Sequence, residues 1–210
     1  MKLSLRLSAV ALPLLLAACA PREQVRPAAP KADYAVLLDQ QRAREHLLAN
    51  TDHWVLQGKL GVSGVVDGKS QGGSGTLTWT QNGDSYQFEV HGPVGSKSFR
   101  LSVTPDGALL EGGDGGPRRS PDAESLVQNV LGWHVPLHDL RAWVLGLRAD
   151  SGPAELKFGD DGLPTQLIQD GWTVSYPGWD TSRKPVVPRK VFADNPPYKV
   201  RLSVESWSIQ

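Results

Sequence analysis

Apolar and polar positions follow several successive rhythms along this chain. Leu7 to Leu16 is an apolar run broken only by Ser8 and Pro13. It is shorter than the about 20 apolar residues that a membrane-spanning helix needs. Ala20 to Lys31 shows no period, and Pro21, Pro27 and Pro30 punctuate its alanines and arginines. Asp33 to Asn50 holds neither Gly nor Pro and carries Val36, Leu37, Leu38, Ala43, Leu47 and Leu48, a pattern that predicts a helix ending at Asn50.

From Trp54 the period drops to two. Leu56, Leu60 and Val62 alternate with polar or small residues, and Leu77–Trp79, Tyr86–Val90 and Phe99–Val103 repeat the pattern. Asp67-Gly68, Asn82-Gly83-Asp84 and Asp106-Gly107 supply turn chemistry between them. These runs predict an antiparallel meander with one apolar, aromatic face.

A helical period then interrupts the strands. Ser120 as N-cap and Pro121 at the first helical position open a second helix. Ala123, Leu126, Val127, Val130 and Leu131 share one of its faces, and Gly132 ends it. After Pro136, the residues Leu137, Leu140, Val144 and Leu147 line a short third helix flanked by Trp143, with Gly146 at its end.

The alternating pattern returns with Leu156 and Phe158, the turn Asp160-Asp161-Gly162, Leu163–Ile168 and Trp172–Tyr176. Four prolines follow, and Val200, Leu202 and Val204 alternate with polar residues near the end. The expected fold is mainly β with inserted helices (α+β): ten or eleven strands, two helices inserted and one in front. A curved or barrel-like sheet with helices on its apolar face packs these elements most economically.

The N-terminus sets the compartment. Lys2 and Arg6 precede the apolar run, and Leu16-Ala17-Ala18-Cys19 closes it, which predicts a secretory signal peptide. That ending resembles the bacterial lipobox, in which the cysteine is lipidated and becomes the first mature residue. The alternative is an ordinary signal cleaved near Ala18 or Ala20. Cys19 is the sole cysteine of the 210 residues, so the mature chain has no disulfide in an oxidising compartment. Residues 1–18 are read as the signal peptide, 19–32 as lipidated Cys19 and tether, and 33–210 as one domain. Residues 20–31, if extended at ~3.1 Å each, reach roughly 35 Å from the bilayer.

The 22 basic and 22 acidic residues balance. No basic run exceeds three residues, so nucleic acid is not an expected partner. Few side chains offer chemistry. His134 and His138 have a zinc-helix spacing, but Pro136 lies between them and no third ligand is near, so no metal is expected. Gly92–Ser98 has the wrong spacing for a phosphate loop and precedes a strand. Gly61–Gly64 is not a nucleophile elbow. Asp160-Asp161-Gly162 and Asp106-Gly107 read as turns. No catalytic residue is assigned, no cofactor beyond the lipid on Cys19, and the chain is expected not to be an enzyme.

What remains is apolar surface. Trp79, Phe88, Phe99 and Leu101 on strands would face Leu126, Val130, Leu140 and Val144 on helices, with Trp143 beside them. They form either a packed core or the walls of a cavity for an acyl chain. Periodicity does not separate the two.

A resemblance bears on that choice. Trp54-x-x-x-Gly58-Lys59-Leu60-Gly61-Val62, Gly75-x-Leu77-x-Trp79-x-Gln81-x-Gly83-Asp84-x-Tyr86 and Gly92-Pro93-Val94-Gly95 resemble the LolB family of outer-membrane lipoprotein receptors. So do Asp122–Leu126, Gly132-x-x-x-Pro136-Leu137, Leu140-Arg141-x-Trp143–Leu147, Gln169-x-Gly171-Trp172-x-Val174-x-Tyr176, Pro188-Arg189 and Lys199–Leu202-x-Val204-x-x-Trp207. The motifs keep their order over nearly the whole mature chain. Arg148 departs from the Pro usual after Gly-Leu, a change expected to affect only the exit from the third helix.

The resemblance implies an unclosed antiparallel β-barrel with a helical lid over a hydrophobic cavity. It implies a monomer, lipid-anchored on the periplasmic face of the outer membrane. Such a protein takes acylated lipoproteins from a LolA-type periplasmic carrier and inserts them into the inner leaflet, with no nucleotide, metal or other cofactor. Gly92, Pro93, Val94 and Gly95 would form a membrane-insertion loop, with Val94 as its projecting residue. Ala20 after the cysteine agrees with outer-membrane sorting. Two other classes make different predictions: a structural assembly-subunit lipoprotein has a solid core, and a lipid hydrolase loses turnover on mutation of one Ser, His or Asp.

Overall fold

A computed structural model of the chain describes residues 34–66, 68–93, 98–112 and 115–210. Cys19, the tether, Val94 and Gly95 lie outside the described residues. The leading helix is α1 (Tyr34–Leu48). The meander follows as β1 (His53–Val66), β2 (Lys69–Asn82), β3 (Ser85–His91), β4 (Ser98–Thr104), β5 (Gly107–Glu111) and β6 (Arg118–Ser120). Helices α2 (Ala123–Leu131) and α3 (Leu137–Val144) come next. The chain ends with β7 (Ala154–Phe158), β8 (Pro164–Gln169), β9 (Trp172–Asp180), β10 (Val187–Asn195) and β11 (Tyr198–Ile209).

Among the described residues the 11 strands form one sheet in the order β6-β5-β4-β3-β2-β1-β11-β10-β9-β8-β7. Every pairing is antiparallel, and the sheet does not close into a barrel. All neighbouring strands but one pair are consecutive in the chain. The exception joins β1 to β11, with Leu60 opposite Leu202 and Val62 opposite Val200. This pair welds the first and second meanders. The turns obey local chemistry. Between Asn82 and Ser85 only Gly83 takes a positive φ, of 58°, so glycine holds the first central position of the hairpin. Between Gln169 and Trp172, Asp170 and Gly171 both do, at 47° and 75°.

Period-two alternation puts one row of side chains on the concave face. Trp54, Leu56, Leu77, Trp79, Phe88, Val90, Leu101 and Leu110 are all buried there. Trp79 meets Phe88 at 4.4 Å between ring centroids, and Trp54 meets Trp79 at 4.8 Å and Trp207 at 5.3 Å.

Both inserted helices cross that face. The cap of α2 differs from the Ser120 expected. Asp122 is the N-cap and accepts from Ser125 N at 2.7 Å, while Ser120 ends β6 and its hydroxyl accepts from Asp122 N. The hydrogen bonds from Ser125 hold the Asp122 carboxyl below its ordinary value. Pro121 therefore precedes the helix. Gly132 ends it in the left-handed region, at φ 71°. α3 stops at Val144, short of Leu147, in a Schellman motif. Gly146 N donates to Trp143 O at 2.9 Å, and Leu147 N to Ala142 O at 3.0 Å.

α1 lies across the end of the sheet where β1 begins. Its Tyr34 ring packs on Phe158 at the end of β7, and Leu37 and Gln40 meet the β7–β8 turn at Gly162. Arg44 and Gln41 grip the exit from α3. Arg44 donates to the carbonyls of Leu145, Gly146 (2.8 Å) and Val186 (2.9 Å), and its guanidinium lies over Trp179. Burial pushes its pKa down to about 10, so it stays charged at neutral pH. Gln41 donates to the Gly146 carbonyl at 3.0 Å. Glu45 accepts two bonds from the Arg148 guanidinium, at 2.8 and 2.5 Å. Arg148 thus does more than shape the exit from α3: it joins that exit to α1.

Two predictions follow from this latch. Gly146 has φ 71°, and a Cβ there would sit 2.3 Å from the Trp179 ring. Gly146→Ala combines left-handed strain with overpacking and should cost about 2–4 kcal/mol, read as a lower urea midpoint with unchanged slope. Burial acts to raise the Glu45 pKa, but the hydrogen bonds from Arg148 and Gln41 and the Arg148 charge outweigh it and leave it below 4.5. A depressed carboxylate contributes stability present above its unfolded value and lost as pH falls through its folded one. Glu45→Gln should lower stability at pH 7 and remove that part of the decline below pH 4.5; unfolding curves from pH 3 to 7 measure it.

Candidate functional site

Beneath α2 and α3 the concave face does not pack completely. Five neighbouring strands wall a cavity there: β1 with Leu60 and Val62, β2 with Leu77 and Trp79, β3 with Phe88 and Val90, β4 with Phe99 and Leu101, and β11 with Val200 and Leu202. Register makes this wall continuous. Leu77 lies opposite Val90, Trp79 opposite Phe88, Phe88 opposite Leu101, and Val90 opposite Phe99. The roof is Val127 and Leu131 from α2, Trp133 and Val135 from the connection, and Leu137 and Leu140 from α3. Every lining residue is apolar.

The free volume is about 50 Å³. By that measure it would take a few water molecules at ~10–15 Å³ each, and not an acyl chain. Of the four half-buried wall residues, Leu60 lies on β1, and Phe99, Leu131 and Trp133 gather at the end of the sheet where β3 ends and β4 begins. Trp133 closes that end. Its ring stands edge-on to Phe99 at 5.6 Å, and a Cβ on Gly73 of β2 would meet it at 3.0 Å. The absent side chain at Gly73 is what lets the indole lie on the strand.

Of the residues expected at a cavity, the structure brings Trp79, Phe88, Phe99, Leu101 and Leu140 together in its wall. Leu126, Trp143 and Val144 lie in the packed core beside it, and the half-buried Val130 packs against that core. Trp143 Nε1 donates to Gln169 Oε1 at 3.1 Å, and its ring meets Trp172. Gln169 also donates to the Ala149 and Gly152 carbonyls, so this buried amide fastens the chain after α3 to β8. Gly92 is half-buried and Pro93 exposed, directly after β3.

Sequence periodicity did not mark Trp133, which sits in no regular element. It did mark Leu60, Val62, Val200 and Leu202 as inward strand positions. Only the β1–β11 pairing shows that they share the wall.

The polar groups near the lid have structural partners. His134 stacks with Trp172 at 6.2 Å and meets Tyr198 at 5.2 Å. His138 pairs instead with Asp150 at 2.7 Å, so the two histidines do not converge. Asp139, in the first turn of α3, is buried and accepts from Ser151 Oγ at 2.9 Å; its burial raises the carboxyl pKa. The arrangement can hold apolar groups by contact and offers them no polar anchor. Among the described residues no helix is long and apolar enough to cross a membrane.

Residues 52–207 match the family described as "Outer membrane lipoprotein LolB". The chain is 36% identical over 174 residues to an outer-membrane lipoprotein LolB of Xanthomonas campestris pv. campestris (strain B100), covering 80% of this chain and 78% of that one. It is 33% identical over 168 residues to the protein of the same name from Pseudomonas putida (strain GB-1), covering 80% of each. With its open antiparallel sheet and two helices across the apolar face, the chain belongs, by this sequence match, to the outer-membrane lipoprotein LolB family.

Proposed function

We propose that this chain accepts acylated lipoproteins from a LolA-type periplasmic carrier, holds their acyl chains in the cavity under α2 and α3, and passes them to the inner leaflet of the outer membrane without nucleotide hydrolysis. The observation that carries the reading is the wholly apolar wall, in a member of a family of outer-membrane lipoproteins. An acyl chain leaving water gains about 0.8 kcal/mol per buried methylene. A carrier that released it into water would forfeit that gain, so transfer runs from cavity to cavity and then to the bilayer. A pocket that must also let go is served by dispersion contacts without fixed polar anchors.

The small free volume adds a requirement: α2, α3 and the Trp133 connection move away from the sheet as cargo enters. The apparent affinity is then lowered by the fraction of molecules already open, which favours release. Cys19 carries the lipid that keeps the monomer at the membrane, and the Gly92–Gly95 segment with Val94 meets the leaflet.

A structural lipoprotein with a filled core would also show a small free volume, and uptake separates the two readings. Leu140→Ala removes part of the wall without placing a polar group there. It should weaken lipoprotein uptake by about 1–2 kcal/mol, roughly tenfold, in protein that unfolds cooperatively. Uptake unchanged in such folded protein would count against the cavity as the acyl site.

A further inference from the structure

The large exposed apolar side chains are not scattered. Of the four among the described residues, Tyr34 (42% exposed), Val36 (57%) and Leu47 (69%) all lie on α1, and only Val65 lies elsewhere. Val36, Ala43 and Leu47 fall at i, i+7 and i+11, so they form one narrow stripe along the helix. Ala43 is exposed as well. The inner face of α1, with Leu37, Gln41, Arg44 and Leu48, is spent on the latch and the core. Beside the stripe the charged Arg42 and Asp39 pair with each other at 2.7 Å, and the exposed Gln40 and His46 flank it, while Glu45 is on the opposite face with Arg148. The outer face of α1 therefore presents apolar surface without net charge.

Topology places that face away from the half-buried end of the cavity that Trp133 closes, taken as its mouth. α1 packs against the β7–β8 turn at Gly162 and against Val186 just before β10, at the end where β1 begins. Trp133 closes the opposite end, on Gly73, which pairs with Val62. Val62 is nine residues along β1 from His53, or about 30 Å at ~3.3 Å per residue. The chain reaches α1 directly from Cys19 through residues 20–33. That length spans at most about 50 Å at ~3.6 Å per residue.

We infer that the outer face of α1, with Val36, Ala43 and Leu47, rests on the lipid surface of the membrane that holds the Cys19 anchor, leaving the cavity mouth turned outward when no cargo is bound. The partner is a bilayer surface, because the stripe is apolar and uncharged and enters from the anchored chain. The mouth then faces incoming cargo. The reach of residues 20–33 exceeds the distance between the two ends, so the same anchor lets the domain turn over and bring the mouth to the leaflet. This inference rests on the lipid-anchor reading of Cys19 and not on acyl uptake.

The test uses the full lipidated protein in phosphatidylethanolamine–phosphatidylglycerol vesicles, with neither carrier nor cargo. Cys19 is the sole cysteine and its thiol is consumed by lipid, so Leu47→Cys and, separately, Val65→Cys each supply one free thiol for an environment-sensitive fluorophore. Both sites are exposed, and Val36→Cys gives a second position on the stripe. The label at 47 should emit to the blue and be quenched by lipids carrying a nitroxide on the acyl chain, and the label at 65 should be quenched by aqueous iodide instead. A label at 47 open to iodide overturns the inference. So does one shielded from both quenchers, which would mark a second copy of the chain on the stripe. Protein that fails to float with the vesicles overturns the anchor itself, whereas acyl uptake is left to its own assay.

Discussion

The concave face of the sheet is the constraint on which everything else depends. Five adjacent strands present an unbroken apolar surface, from Leu60 on β1 to Leu101 on β4 and back to Leu202 on β11. An open sheet does not cover its own face as a closed small barrel does. Two helices of 9 and 8 residues are laid over it instead. They are too short to be stable alone in water, so their position is set by packing and by fastenings at their ends. The space left beneath them follows from covering a wide curved face with a small lid.

Those fastenings are unequal. At the exit from α3, Arg44, Gln41 and Glu45 of α1 together hold Leu145, Gly146 and Arg148. Gln169 fastens Ala149 and Gly152 just beyond. At the other end the connection between the helices is held by ring and apolar contacts, Trp133 on Phe99 and a bare glycine, His134 on Trp172 and Tyr198, and the buried Val135. Dispersion contacts of that kind are separable without leaving buried charges or orphaned carbonyls, whereas undoing the Arg44 cluster would leave both. Motion of the lid is therefore expected at the Trp133 end, with the α3 exit as the fixed point.

Much of this was legible in the chain. The strands announced themselves because one face is buried and the other wet, and the hairpins because Gly68, Gly83, Gly107 and Gly162 sit where positive φ is needed. The helix start was misplaced by two residues because Ser120 and Asp122 both offer capping oxygens, and only the end of β6 decides between them. The β1–β11 pairing was not legible, since residues about 140 apart in sequence carry no local sign of it. Helical spacing alone could not divide Leu140, which faces the cavity, from Trp143 and Val144, which face the core. That division depends on how α3 is rolled against the sheet, and the latch to α1 sets the roll. Arg148 looked like a local departure because its partner Glu45 lies on an element with no periodic link to it.

The proposed function stands or falls on whether the apolar cavity accepts acyl chains by burial alone. The most direct measurement mixes this protein with a LolA-type carrier loaded with a lipoprotein and follows the lipoprotein in the absence of nucleotide. The lipoprotein is expected to leave the carrier and associate with this chain in stoichiometric amount. Lipoprotein that remains on a carrier shown to be competent, with this chain folded, would contradict the proposed function.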